Sequence, residues 1–380
     1  MILVLYKIVP SGFTKSSPAV RPAARDQVVR LIFIFYWLLV LEGALRKWGL
    51  PQLEQALFFV RVPIAMMTYW VAFRFRCWPR TTLPILAFYL LTVAATLLIP
   101  LQLLVGGYGL RYLLLMGYGW LNYFFFIPLA FLIAEQFQTE DIQRLTRHAA
   151  WLSIASLPIV VLQFFAPPGN IINLGSGLDE SSQFQNLGAA LGYVRPTGFF
   201  TSTTGQTQFV ASTAALLLAA LLAGYRNRYI SPLLLWLGVG AVAAMTILSP
   251  SRSLFFTLGL VFAAAAAAGL LAGRRKVVVR VGLWPIVLVS TTAFLWPLLF
   301  PTAFDAFSLR WSSAMESELA VFQFGVFGRV FYGFYGFIQY FDDTPLLGYF
   351  LGLGGNAANQ LEWVQLPGAA LMWTGYGAWA

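Results

Sequence analysis

From about residue 28 onward the chain alternates between long apolar stretches and short polar breaks. A helix crosses a hydrocarbon core with about 20 mostly apolar residues. Nine stretches approach that length: 28–45, 55–73, 83–105, 112–134, 148–166, 207–225, 231–249, 254–273 and 281–300. A further apolar run begins near Pro367 and reaches Ala380. The pattern predicts an all-α fold, a polytopic transmembrane bundle of nine to ten spans, with 367–380 as the start of the last. Residues 1–27 carry Lys7, Lys15, Arg21 and Arg25 without a long apolar core or a small-residue cleavage site. They are expected to form a retained cytoplasmic leader.

The polar breaks differ in charge from one side to the other. Counting Arg30 with the leader, sixteen of the 24 Lys and Arg fall in the leader and in the connections near 74–80, 135–147, 226–229 and 274–280. Seven fall in the alternate loops. Because basic residues gather on the cytoplasmic side, this asymmetry predicts a cytoplasmic N-terminus. Segments 167–206, 249–253 and 301–366 are then expected on the outer side. The last is aromatic-rich, with glycines and regularly spaced charges, so helices lying in the interface plane suit it better than a span.

Composition narrows the class further. With 59% apolar and 10% charged residues, the chain is far from a soluble domain, where about 25% are charged. The formal charge of +10 resides mainly in the cytoplasmic loops, which points to the lipid bilayer as partner and not to nucleic acid. Single Cys77 and His148 provide neither an internal disulfide nor a His/Cys metal centre, and no cofactor is implied. The run from Glu135 to His148 has acids early and bases late, matching a helix dipole. It reads as a surface connector, with His148 solvated or internally satisfied.

Basic residues on the outer side run against the general bias and are candidates for function: Arg46, Lys47, Arg111, Arg195, Arg252, Arg310 and Arg329. Arg46 and Lys47, beside Trp48, also read as interfacial anchors. Arg61 lies about two turns inside the second predicted span, where a charge costs about 2.5–3.5 kcal/mol. It therefore faces a partner or a wet cavity, or snorkels to the headgroups. The richest segment is R-P-T-G-F-F-T-S-T-T-G-Q-T-Q-F, residues 195–209. A guanidinium offers a planar fork of donors that fits phosphate, and glycines such as Gly198 let backbone N–H groups approach it. The alternative is a solvated loop with a helix start at Thr204 to Thr207.

R-P-T-G-F-F, then S-P-S-R-S at 249–253, then an outer segment ending in T-P-L-L-G-Y-F-L-G-L-G-G-N-A, together resemble the O-antigen ligase and polymerase superfamily of bacterial inner-membrane glycan transferases. E-G-A-L-R-K-W at 42–48 adds a weaker likeness. The resemblance implies transfer or polymerisation of an undecaprenyl-pyrophosphate-linked oligosaccharide at the periplasmic face, without metal or nucleotide sugar. It also implies polysaccharide assembly or export proteins as partners. Arg195 and Arg252 would match the family's arginines in the first outer loop and the short turn, and Arg310 or Arg329 the one in the large loop. Family ligases place a histidine late in that loop. This chain carries carboxylates instead, so Glu362, Glu318 and Asp342 are the expected proton acceptors, with Arg61 and Gly198 added on the substrate side. Two other classes remain open: a transporter or flippase of a lipid-linked or anionic solute, and a non-catalytic component of exopolysaccharide assembly.

Overall fold

The computed structural model describes residues 22–53, 56–57, 59–105, 117, 120–173, 193–223, 229–249, 251–271, 296–298 and 300–322. Helices dominate, and there is no strand among the described residues. Helix α1 (Pro22–Ala44) runs into a five-residue π turn, Leu45–Gly49, and then a short 3-10 turn, Pro51–Leu53. It is followed by α2 (Arg61–Arg74), α3 (Leu83–Val105), a second π turn (Leu121–Phe125), α4 (Ile127–Gln136) and α5 (Thr139–Phe165). A 3-10 turn at Ile171–Asn173 precedes α6 (Thr203–Ala223), α7 (Pro232–Leu248), α8 (Arg252–Leu271) and α9 (Pro301–Phe322).

Four helices among the described residues are long and apolar enough to cross a membrane: Ala23–Gly49, Thr139–Phe165, Thr203–Leu222 and Arg252–Leu271. Leu83–Leu97, Ile127–Gln136 and Pro232–Leu248 are shorter apolar helices. The chain is therefore a helical membrane protein.

Several boundaries differ from the sequence expectation for local reasons. The second span begins at Arg61, six residues later than expected, so Arg61 stands at a helix start and not two turns inside. The expected connector 135–147 is instead largely the opening of α5, which starts at Thr139. Its early acids cap the helix: Asp141 accepts from the Gln138 N–H at 3.0 Å, and Asp141 is only 3% exposed. The expected helix start at Thr204 falls at Thr203. Residues 301–322 of the expected large loop form one 22-residue helix. The remainder of that loop, the run 367–380 and most of the expected span 281–300 lie outside the described residues.

The chain divides into two compact units, residues 1–77 with 136–314 and residues 78–135 with 315–380. In the first, α7 and α6 pack along α5, α8 packs on α6, and α2 packs on α1. Its core joins Val40 to Ala150, Leu152, Val160, Phe164, Phe209, Leu217, Leu234, Met245 and Leu254. A Cβ on Gly238 would come within 3.1 Å of the Ala150 Cβ, so small residues are what let α7 and α5 approach. Ser231 caps α7 by accepting the Leu234 N–H, with Pro232 in the first turn.

Helices α1 and α5 run in the same direction and are about 35 Å and about 40 Å long at 1.5 Å per residue. At their starts Arg25 pairs with Asp141 and its Nε donates to the Gln136 carbonyl at 3.0 Å. Midway, the Trp37 indole N–H donates to His148 Nδ1 at 3.1 Å. Of the two expectations for His148, solvated or internally satisfied, this contact meets the second. In the second unit Phe88 of α3 meets Phe124 in a tilted contact and Phe131 edge-to-face, and Trp120 donates to Thr96 at 2.9 Å.

Candidate functional site

The candidate site lies at the far ends of α1 and α5. The π turn widens the last turn of α1 and carries Arg46 and Lys47, both drawn inward where an interfacial anchor would point out. Lys47 is 8% exposed. Its ammonium donates to Thr197 Oγ1 at 2.9 Å and to the Gly198 carbonyl at 2.7 Å, and it lies 4.3 Å from the centre of the Trp48 ring. The anchor expectation fails because this hydrogen bonding replaces the water that a headgroup-level lysine would keep.

Gln163, near the end of α5, grips the same loop from the other side. Its Oε1 accepts the N–H groups of Thr197 at 3.0 Å and of Gly198 at 2.8 Å. Its Nε2 donates to the Ile172 carbonyl at 2.9 Å. Gly198 adopts a left-handed φ of 56°, which favours glycine. A Cβ there would sit 2.3 Å from Gln206 Oε1. Both backbone polar groups of Gly198 are thus engaged inside the protein. Its part is to shape the loop, whereas the sequence reading had it approach the ligand.

Gly43 allows the next contact. A Cβ on it would lie 2.3 Å from the Phe199 carbonyl oxygen, so only glycine lets loop 199–201 settle on α1. Where the loop settles, a cleft of about 380 Å³ opens. Glu42, Arg46 and Arg61 line one side of it, and Thr201, Ser202 and Gln208 are part of the rest. Glu42 is 4% exposed. Its Oε1 lies 3.3 Å from Arg46 Nη1 and its Oε2 lies 2.5 Å from Arg61 Nε. The Arg61 contact is a close ion pair, and the orientation of its Nε–H falls short of a regular hydrogen bond. A buried carboxylate costs several kcal/mol unless cations surround it. Here two guanidiniums do, and both line the cleft. Such a site favours an anion, and the neighbouring hydroxyls can complete its coordination.

The other expected site residues are distributed as follows. Arg195 is half-buried in the segment before Gly198 and is not part of the described cleft lining. Arg252 opens α8, with its guanidinium 5.7 Å from the centre of the Trp311 ring, beside an aromatic cluster of Phe255, Trp296 and Phe307. Arg310 and Glu318 are positions of α9 whose side chains lie outside the described residues, as do Arg329, Asp342 and Glu362 altogether. Of the expected substrate-side arginines, the described cleft takes in Arg61.

Arg46 and Lys47 were among the candidates for function, read mainly as interfacial anchors, whereas Glu42 and Gln163 were not singled out. For Glu42 a signal was legible. Glu42 interrupts an apolar run, and Arg46 follows at i+4, the spacing of neighbours on one helix face. Gln163 carried no such signal, because a lone glutamine in an apolar helix says nothing of its partner. Comparison with protein-family models, with curated proteins and with solved structures returned no match.

Proposed function

We propose that this chain transfers or polymerises a polyprenyl-pyrophosphate-linked oligosaccharide at the outer face of the bacterial inner membrane, as its resemblance to O-antigen ligases and polymerases implies. One observation supports the reading above the others. Two motifs of the resemblance, E-G-A-L-R-K-W and R-P-T-G-F-F, lie 150 residues apart and are tied by Lys47 and Thr197 around one cation-lined cleft.

In this reaction an acceptor hydroxyl attacks the anomeric carbon of the donor sugar while the bond from that carbon to the phosphate oxygen breaks. Negative charge builds on the departing diphosphate, and Arg46 and Arg61 are suited to neutralise it. Arg195 and Arg252 are the further guanidiniums the resemblance assigns to that task. The hydroxyl proton passes to a carboxylate, with Glu362, Glu318 and Asp342 as the candidates.

Turnover of a lipid-linked oligosaccharide by the purified chain tests this directly. Product should form with the native chain and be lost with Arg61→Ala and with Arg195→Ala, both variants still inserting. Normal product from both variants would refute the assignment. A transporter of a lipid-linked anion is the second reading, favoured by charged residues within the apolar run of α1. Movement of the donor across vesicles without glycan transfer would move the assignment there.

A further inference from the structure

The cleft is not uniform along its depth. On α1 its wall is Tyr36, Leu39, Val40 and Gly43, a stripe spaced i, i+3, i+4, i+7 on one helix face. On α6 it is Gly205, Gln208, Phe209 and Ser212, with the same spacing. The charged residues stand at one end only. From Arg46 down to Tyr36 is ten residues, about 15 Å along the helix, and the lining passes from guanidinium to hydrocarbon over that distance.

The deeper part is apolar in fact as well as in residue type. Ser212 turns its hydroxyl to the Gln208 carbonyl of its own helix at 2.6 Å, so it competes little for a ligand. Val40 and Phe209 form a buried floor, while Leu39 is 38% exposed and Ser212 is exposed. The groove therefore opens sideways between α1 and α6. Its volume is near the lower end of small-molecule sites, about 300–1,000 Å³. That suits a headgroup and the beginning of a chain better than a whole lipid.

We propose that the space between α1 and α6 is the entry groove for the lipid leg of the donor, with the diphosphate held at Arg46 and Arg61 and the first isoprene units lying along Tyr36, Leu39, Val40 and Phe209. The identity of the lipid rests on the glycan-transfer reading; the groove rests on its own lining. A free diphosphate has use for the charged end alone, whereas the apolar floor rewards an attached hydrocarbon chain.

The test is binding of farnesyl pyrophosphate and of inorganic pyrophosphate to the full purified chain, measured by titration calorimetry. The prenyl compound should bind at least about tenfold more tightly, because it alone reaches the apolar floor. Leu39→Trp should fill the groove and weaken farnesyl pyrophosphate about tenfold, leaving inorganic pyrophosphate within about twofold. Ser212→Trp, from the opposite wall, should do the same and guards against a folding defect in either variant alone. Arg61→Ala should weaken both ligands. Unchanged farnesyl pyrophosphate affinity in both tryptophan variants, or equal affinity of the native chain for the two ligands, overturns the proposal. The expected binding pattern without oligosaccharide turnover would leave the groove standing and sink glycan transfer. Turnover insensitive to both tryptophans would do the reverse.

Discussion

The two ends of the α1–α5 pair are built from similar residues arranged differently. At the starting end Arg25 pairs with Asp26 and Asp141, and Arg144 approaches Asp141. Two bases meet two acids there, and Asp141 also caps α5. At the far end Glu42 is shared between Arg46 and Arg61, while Lys47 spends its protons on neutral oxygens of the loop. The first arrangement is balanced and bridges helix ends. The second sets two guanidiniums on one carboxylate among the described residues and borders a cleft. Ion pairing alone therefore does not distinguish a fastening from a candidate site; adjoining space does.

Substitutions can separate the two roles. The largest expected effect is on stability at the balanced end. Asp141→Ala leaves Arg25 without its buried partner and removes the cap of α5, at a cost of about 3–5 kcal/mol, read as a lowered thermal denaturation midpoint. The folded fraction should keep its turnover per molecule, and a loss of turnover there would break the contrast. Next comes Arg61→Ala, expected to reduce oligosaccharide turnover about 10²- to 10³-fold with a smaller change in denaturation midpoint than Asp141→Ala.

Gly198→Ala combines left-handed strain with overlap against Gln206 and Ser156. It should destabilise by about 2–4 kcal/mol and lower turnover as well, since the loop that bears Thr201 and Ser202 would shift. Smallest is Lys47→Met, which removes two hydrogen bonds worth about 1–3 kcal/mol together. Because those bonds secure the loop, protease susceptibility near residue 197 should rise in this variant and stay unchanged in Asp141→Ala.

Much of the helical architecture was legible in the chain, because apolar run length is a direct reading of what a bilayer demands. The apolar run 83–105 is helical as Leu83–Val105, and 231–249 as Pro232–Leu248 within a residue at each end, although neither is among the four described helices long and apolar enough to cross a membrane. Boundaries slipped where polar residues entered a helix without ending it, as Glu140 and Asp141 do in α5. Hydropathy reads such residues as a break, whereas a capping carboxylate begins a helix. The loop 195–205 was legible as a special segment, but not what it would touch. Its grip by Lys47 and Gln163 depends on residues 150 and 34 positions away, and no local pattern encodes that pairing. Arg61 was marked by its charge alone, and the sequence pattern left its partner Glu42 unassigned.

The central claim is that the cleft between α1 and loop 199–202 receives the diphosphate of a lipid-linked donor. A structure of the purified chain with bound prenyl pyrophosphate tests it most directly. The expected result is phosphate density within hydrogen-bonding distance of Arg46 and Arg61, with the chain leading inward past Leu39. Density settled instead beside Arg252 and Trp311, with the Glu42 cluster unchanged, would contradict it.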